Sequence, residues 1–261
     1  MQIRFNNREY DSQICKYSEI TPNFKDSIRN NYLWFADPVN FNDPYDLNLN
    51  LILPNYSKKE ILDFTTDMVQ KGKGKNHSPE SLANHFINNP LYLRGSIQQY
   101  ANGLASSIGV SCFSQKEDNL LMWSHYADKH KGVCLKFDMY KDQDFFTIPV
   151  KVDYPKKYPQ FDYFILRKTE YDLVQFLVGT KSDDWSYENE IRIVKPKSQF
   201  ENNRGKIPFK KDSVVEVIFG YKCSAENVNE IKNEMLRIGY TCKFSKATLK
   251  ENDFGLKIGE L

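Results

Sequence analysis

No stretch of this sequence approaches the ~20 consecutive apolar residues that a bilayer-spanning helix needs. The opening Met1-Gln2-Ile3-Arg4-Phe5-Asn6-Asn7-Arg8 also lacks the apolar centre of a secretion signal. A cytoplasmic protein without a membrane partner is therefore expected. Cysteine is sparse and scattered: Cys15, Cys112, Cys134, Cys223 and Cys242 include no CxxC pair and make an odd total, which argues against a zinc ribbon or a disulfide framework. Cys112 and Cys134 fall in apolar runs, where a reduced, buried thiol is expected. HExxH and GxxxxGK[ST] are both missing, and His125 and His130 are five residues apart, off a common helical face, so no metal site is expected. Charge of one sign is lacking too. Lys and Arg total 36 against 34 Asp and Glu, and a net +2 gives no wholesale attraction to nucleic acid or membrane. No internal repeat or low-complexity tract is present.

What the chain does have is enough apolar and aromatic material, 40% and 14% of 261 residues, to build a substantial core. Ile14 to Tyr17 and Leu33 to Ala36 read as short strands. Between them a helix starts at Thr21-Pro22, carries Phe24 and Ile28 on one stripe and ends near Asn30. Helices are expected from Ser57, with Glu60 completing a capping box, to about Gln70, from Ser78-Pro79 through Phe86, and from Pro90 to about Ala105. Between the first two, Lys71 to Lys75 reads as a solvated basic loop. Strands are predicted at Ile108–Ser114, Gly132–Asp138, Phe145–Tyr154, Val214–Gly220, Thr241–Leu249 and Phe254–Ile258. A short helix capped by Asp118 covers 119–127, a long one runs from Phe161 to Gly179, and another runs from Ser224 to Ile238 with Gly239 as its stop. Strands in runs with helices clustered between them indicate an α+β fold, one domain over 1–261 with a helical insertion at about 55–106.

The stretch richest in chemistry is Trp185-Ser186-Tyr187-Glu188-Asn189-Glu190-Ile191-Arg192-Ile193-Val194. Read as a strand, it projects Glu188, Glu190 and Arg192 from one face while Ile191 and Ile193 enter the core. Two readings stay open: a solvated cross-strand ion pair, or a charged wall of a cleft. Lys181 just upstream and the cluster Trp123-Ser124-His125-Tyr126 favour the cleft. His125 is a candidate general base among aromatic neighbours, with a histidine satisfied by a backbone carbonyl as the alternative. Lys136 and Asp138 read as solvent-facing alternates of their strand. Phe41-Asn42-Asp43-Pro44-Tyr45-Asp46 reads as a rigid turn held by Asx hydrogen bonds, with a binding role for Asn42, Asp43 and Asp46 as the other possibility.

Three segments together resemble a bacterial family catalogued as domain of unknown function 2971. They are Lys16-Tyr17 through Leu33-Trp34-Phe35 to Phe41–Asp46; Cys112-Phe113-Ser114 with Leu121–Ala127 and Gly132–Leu135; and Trp185 with Glu188–Arg192. A second likeness concerns the order of elements: a polar first strand, a short helix, a short apolar strand, a later strand with hydroxyl residues, and a late E-x-E. That order is similar to ADP-ribosyltransferase-like folds with a mixed or antiparallel sheet. The resemblance implies NAD as substrate, with Glu190 holding the ribose 2′-hydroxyl, Glu188 activating an acceptor and His125 assisting. Lys16, Tyr17, Ser111, Ser114, Trp123, Tyr126 and Arg192 would then line the nucleotide site. It implies a toxin or phage-defence role for an enzyme acting on a small nucleotide and an unnamed acceptor. This chain departs from the pattern by having Lys16-Tyr17 where an Arg or His is usual and Ser111-Cys112-Phe113-Ser114 in place of S-T-S. A metal-dependent nucleic-acid-processing domain using Glu188, Glu190 and Asp43, and a non-catalytic binding module, are the competing expectations.

Overall fold

The strand periodicities converge on one eight-stranded sheet. The computed structural model describes residues 2–5, 8–47, 56–72, 76–147, 149–159, 170–200 and 205–261. In chain order the strands are β1 (Gln2–Phe5), β2 (Arg8–Asp11), β3 (Gln13–Ser18), β4 (Tyr32–Trp34), β5 (Ile108–Ser114), β6 (Val133–Asp138), β7 (Pro149–Lys151), β8 (Glu190–Pro196), β9 (Lys206–Pro208), β10 (Val214–Phe219), β11 (Lys243–Leu249) and β12 (Leu256–Glu260). The helices are α1 (Pro22–Arg29), α2 (Lys58–Gln70), α3 (Pro79–Asn88), α4 (Pro90–Ser106), α5 (Leu120–Tyr126), α6 (Glu170–Val178) and α7 (Ala225–Arg237). The main sheet has the order β12-β11-β10-β6-β3-β5-β8-β7. All its pairs are antiparallel except β10–β11, whose connection through α7 makes them parallel. Two small sheets, β1–β2 and β4–β9, lie outside it. The fold is thus α+β with a mostly antiparallel sheet.

Alternation decides which layer each residue joins. Ile14, Phe113, Leu135, Phe137, Ile191, Ile193, Val217 and Phe219 project to one face and pack beneath α1 and α7, which contribute Phe24, Ile28, Ile231 and Met235. α1 forms because Thr21 Oγ1 accepts from Phe24 N at 3.2 Å and Pro22 supplies a helical φ at the first position. The ion pairs Lys25–Glu230 and Arg29–Glu234 tie it to α7. The other face is divided. Ile108 and Val110 at the start of β5 are covered by α2, α3, α4 and α6 through Phe64, Phe86, Ile97, Leu173 and Leu177. Cys15, Tyr17, Cys134 and Ile218 are covered by α5 through Met122 and Trp123. The stretch of this face between the two covers is where the polar residues lie.

Several expectations need correction. Asn119, not Asp118, caps α5, its side chain accepting from Leu121 N and Met122 N. The strand expected over 145–154 shrinks to β7, because Asp142 accepts from Phe145 N and Phe146 N and holds the chain in a turn there. The helix expected from Phe161 is seen as α6 from Glu170; residues 161–169 lie outside the described residues, as do Lys73 to Lys75 of the basic loop. Among the described residues no helix is long and apolar enough to cross a membrane.

Candidate active site

Glu188 is not on the strand. A 3-10 turn over Asp183–Glu188 ends at Asn189, whose left-handed φ of 48° reverses the chain before β8 begins at Glu190. The reversal is pinned from β5, where Ser114 Oγ donates to Glu188 O at 2.6 Å, and from α5, where Asn119 Nδ2 donates to Tyr187 O at 3.0 Å. Glu188 therefore approaches the polar part of the sheet from above, while Glu190 and Arg192 rise from the strand itself.

The reading of these charges as a solvated ion pair is overturned. Arg192 is fully buried and its five N–H donors are all used. Nε donates to Glu190 Oε1 and Nη2 to Glu190 Oε2, both at 3.0 Å; Nη1 and Nη2 donate to the two oxygens of Asp46 at 2.6 and 2.7 Å; Nη1 also donates to Val178 O at 2.8 Å. Phe41 lies 5.2 Å from the guanidinium. The turn over Phe41–Asp46 is accordingly more than a surface bend, since its last residue clamps Arg192. Lys181 Nζ donates to Glu188 Oε2 at 2.6 Å, lies 3.7 Å from Glu190 and faces the Trp185 ring at 4.6 Å. Tyr126 Oη donates to Glu188 Oε1 at 2.5 Å, and Tyr154 Oη accepts from Glu190 N at 2.8 Å.

Around these groups is a cavity of about 290 Å³, bounded by β3, β5, β8, α5 and the 40–46 segment. Of the candidates drawn from the sequence, Glu188, Glu190, Lys16, Tyr17, Ser114, Tyr126 and Arg192 line it. The other three stand elsewhere. His125 is exposed, its ring 6.2 Å from that of Tyr187. Trp123 is in the core, donating from Nε1 to Glu117 O and meeting Tyr17 edge-on at 5.1 Å. Ser111 is buried on the other face, where its Oγ accepts from Lys16 Nζ at 3.2 Å. Asp46 and Asn42, for which a binding role was the second reading of their turn, and Lys181, noted just upstream of the acidic pair, also line the cavity, while Cys112 and Tyr154 complete the arrangement without having been site candidates. Lysine seven residues before an E-x-E was the one local signal for Lys181.

The two carboxyls are driven apart in acidity. Burial works against ionisation of both. At Glu190 the charges of Arg192 and Lys181 overcome it and hold the carboxyl at about 2. At Glu188 burial and the neighbouring Glu190 charge prevail over Lys181 and Tyr126, and its pKa is raised. Burial also pushes up the Cys112 thiol, which removes it as a thiolate nucleophile, and the Tyr126 hydroxyl. With both glutamates ionised, the carboxylates of Asp46, Glu188 and Glu190 are matched by Lys16, Lys181 and Arg192, so the charges lining the cavity balance. Among the described residues no group of His, Cys, Asp or Glu is disposed to hold a metal ion.

Residues 122–193 carry α5, Lys181, both glutamates and Arg192, and they match the family model described as Protein of unknown function (DUF2971). The acidic pair, Lys181, Arg192 and Tyr126 fall inside the match, whereas Lys16, Tyr17, Asp46, Cys112 and Ser114 of the same cavity lie outside it. No curated protein and no solved structure matches the chain.

Proposed function

We propose that the chain is an ADP-ribosyltransferase-like enzyme that binds NAD in this cavity, cleaves the bond between ribose and nicotinamide, and passes the ADP-ribosyl group to water or an acceptor. The observation that carries the reading is the divergence of two enclosed carboxyls, Glu190 held as an anion by Arg192 and Lys181 and Glu188 raised by burial and its neighbour's charge, which makes it the stronger base. Nicotinamide leaves as a neutral molecule, taking the bonding pair on its cationic ring nitrogen without protonation, so the reaction asks for a fixed anion beside the sugar and a base for the attacking hydroxyl. Beside its bonds from Arg192 and the Cys112 thiol, Glu190 keeps acceptor capacity for a ribose hydroxyl, and its charge opposes the positive charge that builds on the sugar. Glu188, oriented by Tyr126 and Lys181, takes the proton of the attacking hydroxyl. The order of elements in the main sheet, with Lys16-Tyr17 early and the acidic pair late, supports the same reading. The nuclease alternative fares worse, because Glu190 is occupied by Arg192 and Asp43 is not among the lining residues.

The test is nicotinamide release from NAD by purified protein, with and without candidate protein and nucleic-acid acceptors. Glu188→Gln, which keeps size and hydrogen bonding, is expected to lower the rate by roughly 10²- to 10⁴-fold. No release by the wild-type protein with any acceptor defeats the proposal. Release unaffected by Glu188→Gln defeats the role given to that residue.

A further inference from the structure

The helical insertion holds a cavity of its own, about 610 Å³ against about 290 Å³ around Glu188 and Glu190. It originates in a corner of the chain. α3 and α4 are joined by Asn89 alone, whose φ of −131° and ψ of 68° leave the helical range, and Pro90 opens α4 at once. With no loop to fold α4 back, α3 packs along α2 and meets α4 only sparsely. The space between the splayed helices is lined from both sides at one-turn spacing, by Ser81 and His85 on α3 and by Tyr92 and Ser96 on α4. Phe64 of α2, Phe86 of α3 and Ile97 of α4, all buried, form its floor.

Such a space is unfavourable for three short helices, because apolar interiors close-pack and a gap forfeits dispersion contacts on every wall. Ser96 stands where a larger side chain would close it, and its Oγ donates to Tyr92 O at 3.0 Å within its own helix and not across the gap. The aromatic groups form a wall of nearly common orientation. The rings of Phe64 and Phe86 lie 6.1 Å apart with planes 31° from parallel, and those of Phe86 and Tyr92 lie 6.1 Å apart and 25° from parallel. His85 meets Tyr92 edge-on at 4.9 Å. Among the described residues no Asp, Glu, Lys or Arg lines this cavity, whereas six charged side chains line the first. Its polar groups are hydroxyls and imidazoles, with His77 adding a second imidazole at the rim.

We infer that the insertion binds a small uncharged molecule built on a flat aromatic ring system, seated against Phe64, Phe86 and Tyr92 with its edge hydrogen-bonded by Ser81 and His85. The volume falls within the roughly 300–1,000 Å³ of small-molecule sites. An ionised ligand would leave water for a lining with no carboxylate, lysine or arginine to compensate it. Rings of common tilt match a planar ligand better than a branched aliphatic one, and the hydroxyl and imidazole groups fix its orientation. The inference is independent of the reaction assigned to the first cavity.

The test uses two fluorescent probes that share a skeleton, N-phenyl-naphthylamine, which is uncharged, and anilinonaphthalene sulfonate, which carries an added anion. Each is titrated into the full chain and into Ser96→Phe, Tyr92→Ala and Phe254→Ala. The uncharged probe should bind saturably with blue-shifted emission, roughly tenfold or more tighter than the sulfonate, for which the lining offers no counter-charge. Ser96→Phe puts a ring into the cavity and should weaken that binding by roughly tenfold or more. Tyr92→Ala removes one wall and should weaken it by roughly 2- to 12-fold, the weight of one aromatic contact. Phe254→Ala, at a 96% exposed ring on the β11–β12 turn, should change nothing. Thermal denaturation accompanies each variant; if Ser96→Phe does not fold, Tyr92→Ala, at an exposed position, carries the test. No saturable binding, a sulfonate bound as tightly, or binding unchanged in both Ser96→Phe and Tyr92→Ala overturns the inference. So does a dimer by light scattering that Ser96→Phe returns to monomer, since a second copy would then fill the cavity. Nicotinamide release, present or absent, alters none of these outcomes, so the two proposals stand or fall separately.

Discussion

Two charged clusters occupy the same face of the main sheet, and they differ in what covers them. In the first, Glu190, Arg192, Asp46, Lys181 and Glu188 have side chains 1–5% exposed. In the second, Lys136 pairs with Glu117 and Glu216 with side chains 17–33% exposed, and Ser245 Oγ donates to Glu216 at 2.6 Å. Both draw on alternate strand positions and both link residues far apart in sequence. The first is roofed by the 40–46 segment, α5 and the 3-10 turn, whereas water reaches the second. Water screens one set of charges, and protein groups alone balance the other. The comparison separates a surface network from a cluster whose members must be mutually satisfied, and only the second kind holds its ionisation states apart.

The largest difference between the clusters should appear on deleting the central cation of each. Arg192→Met leaves the buried Asp46 carboxylate without its cation and Glu190 with only Lys181 at 3.7 Å as a counter-charge, and is expected to cost about 3–5 kcal/mol in urea denaturation, or to prevent folding. Lys136→Met is expected to cost about 1 kcal/mol or less, because water can solvate the glutamates it abandons. Equal losses would erase the distinction. Lys136 itself corrects the expectation of a plainly solvent-facing lysine, since it is the hub of its cluster.

Strand alternation made the layers of this fold readable: Ile191 and Ile193 were assignable to the core, and β5 falls at the bounds its pattern implies. The helices of the insertion were legible from their caps, including the reciprocal Ser57–Glu60 box. Features dependent on contacts distant in sequence were not. Asp46 meets Arg192 across 146 positions, and nothing local marks a turn carboxylate as the clamp of a buried guanidinium. Glu188 was misplaced because a left-handed Asn189 breaks the strand period between two residues that look like alternates. Trp123, His125 and Tyr126 sit on a helix of seven residues, too short for periodicity to sort core from cavity from solvent.

A smaller effect concerns acid. Glu190 is held at about 2 in the folded protein, below the ordinary value of 4.5, so its ionised form contributes stability above about pH 4.5 that is lost as pH falls through about 2. Glu188 is raised, so its contribution has the opposite sign: it is present below the ordinary value and lost as pH rises through the folded one. The melting temperature should therefore fall as pH is lowered from 4.5 toward 2, and Glu190→Gln should flatten that slope, whereas Glu188→Gln should alter the pH dependence above about pH 4.5. A slope unchanged by Glu190→Gln would mean that Arg192 and Lys181 do not hold the carboxyl down.

The smallest effect expected is at His125, and its smallness is informative. The ring is exposed, one helical position from Tyr126, which orients Glu188, yet on the solvent side of α5 and outside the cavity lining. If the chemistry belongs to the enclosed cluster, His125→Ala should shift stability by no more than about 0.5 kcal/mol. It should leave the rate of nicotinamide release within the error of the assay. A rate loss comparable to that of Glu188→Gln would show that α5 turns to bring the histidine inward when ligand binds, and that the boundary drawn here between roofed and solvated groups is set by the ligand and not by the fold.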